Sequence, residues 1–241
     1  MLVSPRNPRR RLNMKRTAIL VKAMASLAVI AATTSVAWAR TGSALNAEAA
    51  GLTVNLHVYN YARVDRRALL ASEAQAAAIL RDAGVSAHWI DCPTSHQAVP
   101  NFPGCQATRQ ENSYIVQLLS IPMVKALGAP ADSLGAVDDP GNESRRAGVY
   151  FDRVEALAGG ATVPVEILLS RVMAREIGSM ILGPNAQFHT GIMKAWTAND
   201  LTMGGMVQLS FTPAQARQID SRLAAQQQRN LAEAAHAPAG H

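Results

Sequence analysis

Residues 52–61 alternate between apolar and polar side chains. Leu52, Val54, Leu56 and Val58 fall on one side, and Thr53, Asn55 and His57 on the other. A period of two predicts a strand with one buried face. At Asp65 the period changes. Leu69, Leu70, Ala76, Ile79 and Leu80 recur at helical spacing, with Asp65 placed to cap the first turn and Gly84 to end the helix. Further strands are expected at residues 86–91, 114–121 and 147–151. The stretch from 122 to 146 contains Gly128, Pro130, Pro140 and Gly141 and reads as a long loop, with room for a short edge strand at 134–137.

Residues 163–182 form the strongest helical segment. Pro164 suits a first-turn position, and Gly183-Pro184 stops the helix. Val165, Leu168, Leu169, Val172, Met173, Ile177, Met180 and Ile181 leave few polar sides, so this helix is expected to be central and largely buried. Residues 188–211 read as an irregular connection. The last helix starts at Thr212-Pro213-Ala214-Gln215, a capping box with a first-turn proline, and runs to about residue 231. Several strands with one early helix, closed by a long one, predict an α+β domain over residues 51–232, followed by a disordered tail at 233–241.

The N-terminus changes the charge argument. Residues 1–39 carry seven basic side chains and no acidic one, then an apolar run from 23 to 37 ending in Ala37-Trp38-Ala39. Basic, apolar and small residues in that order are the pattern of a cleavable secretory signal, complete whether the chain starts at Met1 or Met14. The run is too short to be read as a bilayer span. Residues 40–50 then form a linker. From residue 40 onward there are 16 basic and 17 acidic residues, although the whole chain carries +6. The excess positive charge belongs to the signal, so no nucleic-acid surface is implied, and no membrane attachment is expected after cleavage. The product is expected to be exported, periplasmic or extracellular. Cys92 and Cys105 are the only cysteines. In an oxidising compartment a disulfide is the expected state, with metal binding by the pair as the alternative.

The segment Val172-Met173-Ala174-Arg175-Glu176-Ile177-Gly178-Ser179-Met180-Ile181-Leu182-Gly183, followed by Gly191-Ile192-Met193, resembles the active-site helix and Met-turn of zincins, the metzincin-like zinc peptidases. In that family two histidines at i and i+4 share a helix face and hold zinc, and the glutamate between them polarises the metal-bound water. The resemblance covers roughly residues 51–225. It implies a mixed sheet, an early helix, a long former active-site helix, a Met-turn at Met193, a C-terminal helix, and substrate lying along the edge strand.

The departures from the pattern are chemical. Arg175 stands at the first ligand position, Ser179 at the second and Gln187 at the third, while Glu176 keeps the general-base position. A guanidinium has no lone pair for a cation, and a hydroxyl and an amide are poor zinc ligands. His189 is the one good ligand nearby. No cofactor is therefore expected, although zinc serves the family. Arg171, Arg175 and Ser179 share one helix face, and with Gln187 and His189 they mark the former metal region as an anion- or carboxylate-binding surface. The bland alternative pairs Arg175 with an acid such as Asp138 or Asp139. Arg175 and Glu176 point about 100° apart on the helix and are not expected to pair with each other. The leading expectation is an inactive peptidase relative that binds a peptide or protein at its edge strand. The alternatives are a hydrolase with a relocated or atypical metal, to which His57, His88, His96, His236 or His241 could contribute, and an interaction protein whose cleft has closed.

Overall fold

The computed structural model describes residues 52–95, 99–106, 112–138, 145–183, 188–197, 199–201 and 203–236. The expected signal and linker lie outside these residues, as do His96, Asp139, Gln187 and the last five residues of the tail.

The described residues form an α+β fold around one mixed five-stranded sheet. Strand β1 (Leu52–Asn60) leads into helix α1 (Arg66–Asp82), which returns the chain to β2 (Val85–Cys92). The two strands pair in parallel, Leu52 opposite Val85. Asp65 caps α1 as its sequence position predicts, its carboxylate accepting from the Arg67 and Ala68 amides. Gly84, at φ +83°, makes the turn out of the helix that a side chain would strain. Strand β3 (Ser113–Leu119) lies parallel on the other side of β1, and β5 (Arg146–Tyr150) parallel to β3. Strand β4 (Gly135–Val137) runs antiparallel along β5 at the sheet edge, giving the order β2-β1-β3-β5-β4.

Alternate residues of this sheet make the core. Val54, Leu56, Val58, Val116, Leu118, Ala147 and Val149 are buried together with the apolar faces of α1 and of α5 (Val165–Leu182). Leu168, Leu169, Met173 and Ile177 of α5 have no exposed surface. That helix is therefore central, as its nearly all-round apolar pattern predicts. The last helix, α7 (Pro213–His236), adds to the same side, where the Tyr114 hydroxyl donates to Gln226 Oε1 at 3.2 Å. It continues past the expected end near residue 231 into what was expected to be tail. On the opposite face a smaller cluster forms from Leu119, Val124 and Tyr150.

Four short or medium helices differ from the sequence expectation. Helix α2 (Pro103–Gln106) sits in the cysteine loop, and α6 (Met203–Gln208) in the expected irregular connection. Helix α3 (Ile121–Ala126) occupies the end of the third predicted strand and the start of the loop. Its first amide donates to Asp152 Oδ2 at 2.6 Å, a cap supplied from a distant residue and invisible to local pattern. Helix α4 (Phe151–Ala161) starts directly at the end of β5, so Phe151 is helical rather than extended. Thr162, in a left-handed conformation, separates α4 from α5. Arg153 of α4 donates to the backbone carbonyls of Ala129, Pro130 and Ser133, which fixes the approach of the chain to β4. The edge strand is thus held by an element that no periodicity announced.

Glu73 on α1 is buried, and its pKa is pushed up to about 7 by burial and then by Asp91, with Arg66 opposing. Between its ordinary 4.5 and 7 the folded chain binds this proton more tightly than the unfolded chain does. Stability should therefore fall as pH rises through that window, by on the order of 2 kcal/mol. We expect Glu73→Gln to leave stability unchanged at pH 5 and to raise it by about that amount at pH 8, read by urea unfolding at both pH values. An equal effect at the two would show that Glu73 is ionised throughout.

Candidate functional site

The site is built on α5, and its geometry starts with a helix that has almost no solvent-facing side. Arg171, Arg175 and Ser179 form its half-exposed stripe, and Glu176 turns inward. The Glu176 side chain is 3% exposed and lies under the edge strand. A Cβ on Gly135 would stand 2.9 Å from Glu176 Cγ and 2.8 Å from the Gly148 carbonyl, so this part of β4 can be only glycine. The missing side chain lets the edge strand close down on the carboxylate.

A carboxylate removed from water needs a positive partner. Arg175 Nη1 donates to Glu176 Oε1 at 2.8 Å. This overturns the expectation that the neighbours cannot pair. The 100° divergence holds for their Cα–Cβ bonds, but the arginine stem is long enough to curl back, and burial of the acid makes that turn worthwhile. The Glu176 pKa is nevertheless raised, because burial outweighs the charge and hydrogen bond of Arg175. The guanidinium keeps 34% of its side-chain surface exposed and sits 5.8 Å from the Trp196 ring centroid. Asp138, one of the partners considered for Arg175, instead lies 3.8 Å from Arg146. Asp139 lies outside the described residues.

The other members of the stripe have partners of their own. Arg171 Nε donates to the Met206 carbonyl at 3.0 Å and Nη1 to Ser170 Oγ at 3.1 Å, and burial lowers its pKa. Ser179 Oγ donates back to the Arg175 carbonyl at 3.0 Å. The three side chains share a face without converging on one point. His189 is exposed in the bend after α5, and Gln187 lies outside the described residues.

Beneath the helix the chain is fixed tightly. A Cβ on Gly178 would stand 3.1 Å from Met193 Sδ and 2.6 Å from the Phe211 ring, so both pack directly on the helix backbone. Trp196 donates its ring N–H to the Ile192 carbonyl at 2.9 Å. Thr212 and Gln215 form the expected reciprocal cap of α7, and Gln215 Nε2 also donates to the Thr190 carbonyl at 2.8 Å. Asp200 is held near pKa 2 by hydrogen bonds from Lys194 and Thr197. These bonds anchor the turn that carries Met193.

Elsewhere, Cys92 and Cys105 form a disulfide, as expected. His57 is buried beside it, with Nδ1 3.9 Å from Cys92 Sγ, and His88 Nδ1 lies 3.3 Å from Asn55 Oδ1. The contact of His57 with the disulfide was not legible from the alternation of β1, which assigns His57 to the polar side. Among the described residues, with the Cys92–Cys105 disulfide intact, no three histidine, cysteine, aspartate or glutamate side chains converge as a metal site. No described helix is long and apolar enough to cross a membrane. No family model, no curated protein and no solved structure matches the chain.

Removing the arginine tests the pair. Arg175→Met leaves a buried carboxylate without its cation, and we expect a loss of roughly 2–3 kcal/mol at pH 8. Arg175 is a third exposed, which puts the figure below that of a fully buried pair. Protonation of Glu176 relieves the penalty, so the loss should shrink towards pH 5. Denaturant unfolding across that range checks both sign and trend, and a pH-independent loss would indicate that only packing was removed.

Proposed function

We propose that this chain is an exported, catalytically retired relative of zincin peptidases that acts by binding rather than by hydrolysis. The Arg175–Glu176 ion pair carries this reading. In a zinc peptidase of this type the carboxylate would polarise a metal-bound water. Here its charge is taken by a guanidinium attached to the residue that stands at the first ligand position. The hydroxyl at the second position is turned back to the helix backbone. A sheet with one antiparallel edge strand above a central helix, and a methionine turn pressed against that helix at Gly178, also support the relationship.

The partner in this reading is an extended peptide or protein segment added to β4. Antiparallel pairing with β5 directs the backbone groups of Gly135 and Val137 towards the open edge. The Gly135 carbonyl accepts from Ser133 Oγ at 2.6 Å, which leaves Val137 as the place for a new ladder. That Ser133 cap, together with Arg175 lying over the acid, favours a second reading in which the cleft is closed and the domain is an interaction scaffold. Val137→Pro separates the two, because it removes the outward N–H and should abolish strand addition while leaving a closed scaffold unaffected.

Restoring the ligands tests the relationship itself. The triple variant Arg175→His, Ser179→His, Gln187→His should gain one tightly bound zinc per chain, measured by calorimetric titration. A variant that folds, by circular dichroism, yet binds no zinc would show that these positions do not surround one point. Chelator-sensitive peptide cleavage by the unmodified protein would instead establish the active-hydrolase alternative.

A further inference from the structure

The sheet face opposite α1 and α5 holds a second group of metal-competent side chains. His57 of β1 and Cys92 of β2 point to this face, because His57 is level with Ile90 and Cys92 follows two residues on. Helix α2 packs against this face, where a Cβ on Gly104 would lie 3.4 Å from Ile90 Cγ2. His57 is 1% exposed, Cys92 8% and Cys105 3%. His57 Nδ1 faces Cys92 Sγ at 3.9 Å, and its Nε2 is buried with no hydrogen-bond partner among the described residues. A buried imidazole normally has such a partner. Without one, this ring can tilt towards an ion without breaking a bond.

We infer that, once the Cys92–Cys105 disulfide is reduced, Cys92, Cys105 and His57 Nδ1 form a site for a thiophilic d10 cation, Zn²⁺ or Cu⁺. Two thiolates and an imidazole are the donor set such ions prefer. Zinc–sulfur and zinc–nitrogen bonds of about 2.3 and 2.0 Å at a tetrahedral angle place nitrogen and sulfur about 3.5 Å apart. The 3.9 Å separation is already close to that. The two cysteine Cα atoms are 5.7 Å apart, near enough for both sulfurs to reach one ion. The chemistry balances with a dithiol reductant. It transfers two electrons and two protons to the disulfide and becomes a disulfide itself. The metal then displaces the two thiol protons to solvent, and His57 contributes a lone pair. The loop closed by Cys92 and Cys105 would be pinned by the disulfide in one state and by the metal in the other. This site is remote from Arg175 in the chain and does not rest on the zincin reading.

The test is titration of the full exported protein with Co²⁺, oxidised and after reduction by a phosphine. We expect one equivalent bound by the reduced form only, with thiolate-to-cobalt charge-transfer absorption and tetrahedral ligand-field bands displaced by Zn²⁺. His57→Ala should weaken binding more than ~100-fold, beyond what loss of an outer partner costs. Cys105→Ser should abolish the two-thiolate signature. Binding unaffected by His57→Ala would overturn the site, as would reduced protein that binds no more cobalt than the Cys92→Ser, Cys105→Ser double variant. Reduced protein that unfolds and does not regain its circular dichroism with one equivalent of metal would overturn it too.

Discussion

One carboxylate, buried where a sheet edge meets the central helix, must find a positive charge. Glu176 is almost wholly removed from water, under a strand brought close by Gly135. Nothing apolar can neutralise it, and a metal ion, a proton or a guanidinium each could. The chain uses the guanidinium of the preceding residue. Much of the surrounding architecture serves to keep that arrangement in place. The core of α5 fixes the helix, Arg153 holds the approach to β4, and Met193 and Phe211 close on Gly178 from the other side.

The same interaction connects structure to proposed function. A buried acid with a raised pKa and a free approach for water would be a candidate base. With Arg175 bonded to it, the acid is held in an ion pair with the residue beside it. The stripe that looked like an anion surface is divided among separate partners: Arg171 to Met206 and Ser170, Arg175 to Glu176, Ser179 to its own helix. In the proposed reading, what is left for a partner is backbone at Val137, the chemistry of association.

Local pattern made much of this legible. The alternation in β1, the Asp65 cap, the position of the edge strand, the buried character of α5 and the Thr212–Gln215 capping box all depend on neighbours in sequence, and all are seen. Helices α3 and α4 leave no local signal, because their causes lie elsewhere in the chain. The first is capped by Asp152 from a later helix, and the second starts at a strand end without an intervening turn. Local pattern predicts no Arg175–Glu176 pair, because helix geometry fixes where Cβ points, not where a long side chain ends. Burial decided the pairing, and burial is a property of the whole fold. The contact of His57 with the disulfide was hidden for a related reason, since a loop far along the chain covers a face that alternation marks as polar.

The most direct measurement of the central claim is the carboxyl-carbon NMR signal of Glu176, followed at neutral pH as zinc is added. With the carboxylate committed to Arg175, the signal should hold its position and should not respond to the metal. A shift that saturates at one equivalent of zinc, with loss of the Arg175 guanidinium resonance that marks the pair, would contradict the account.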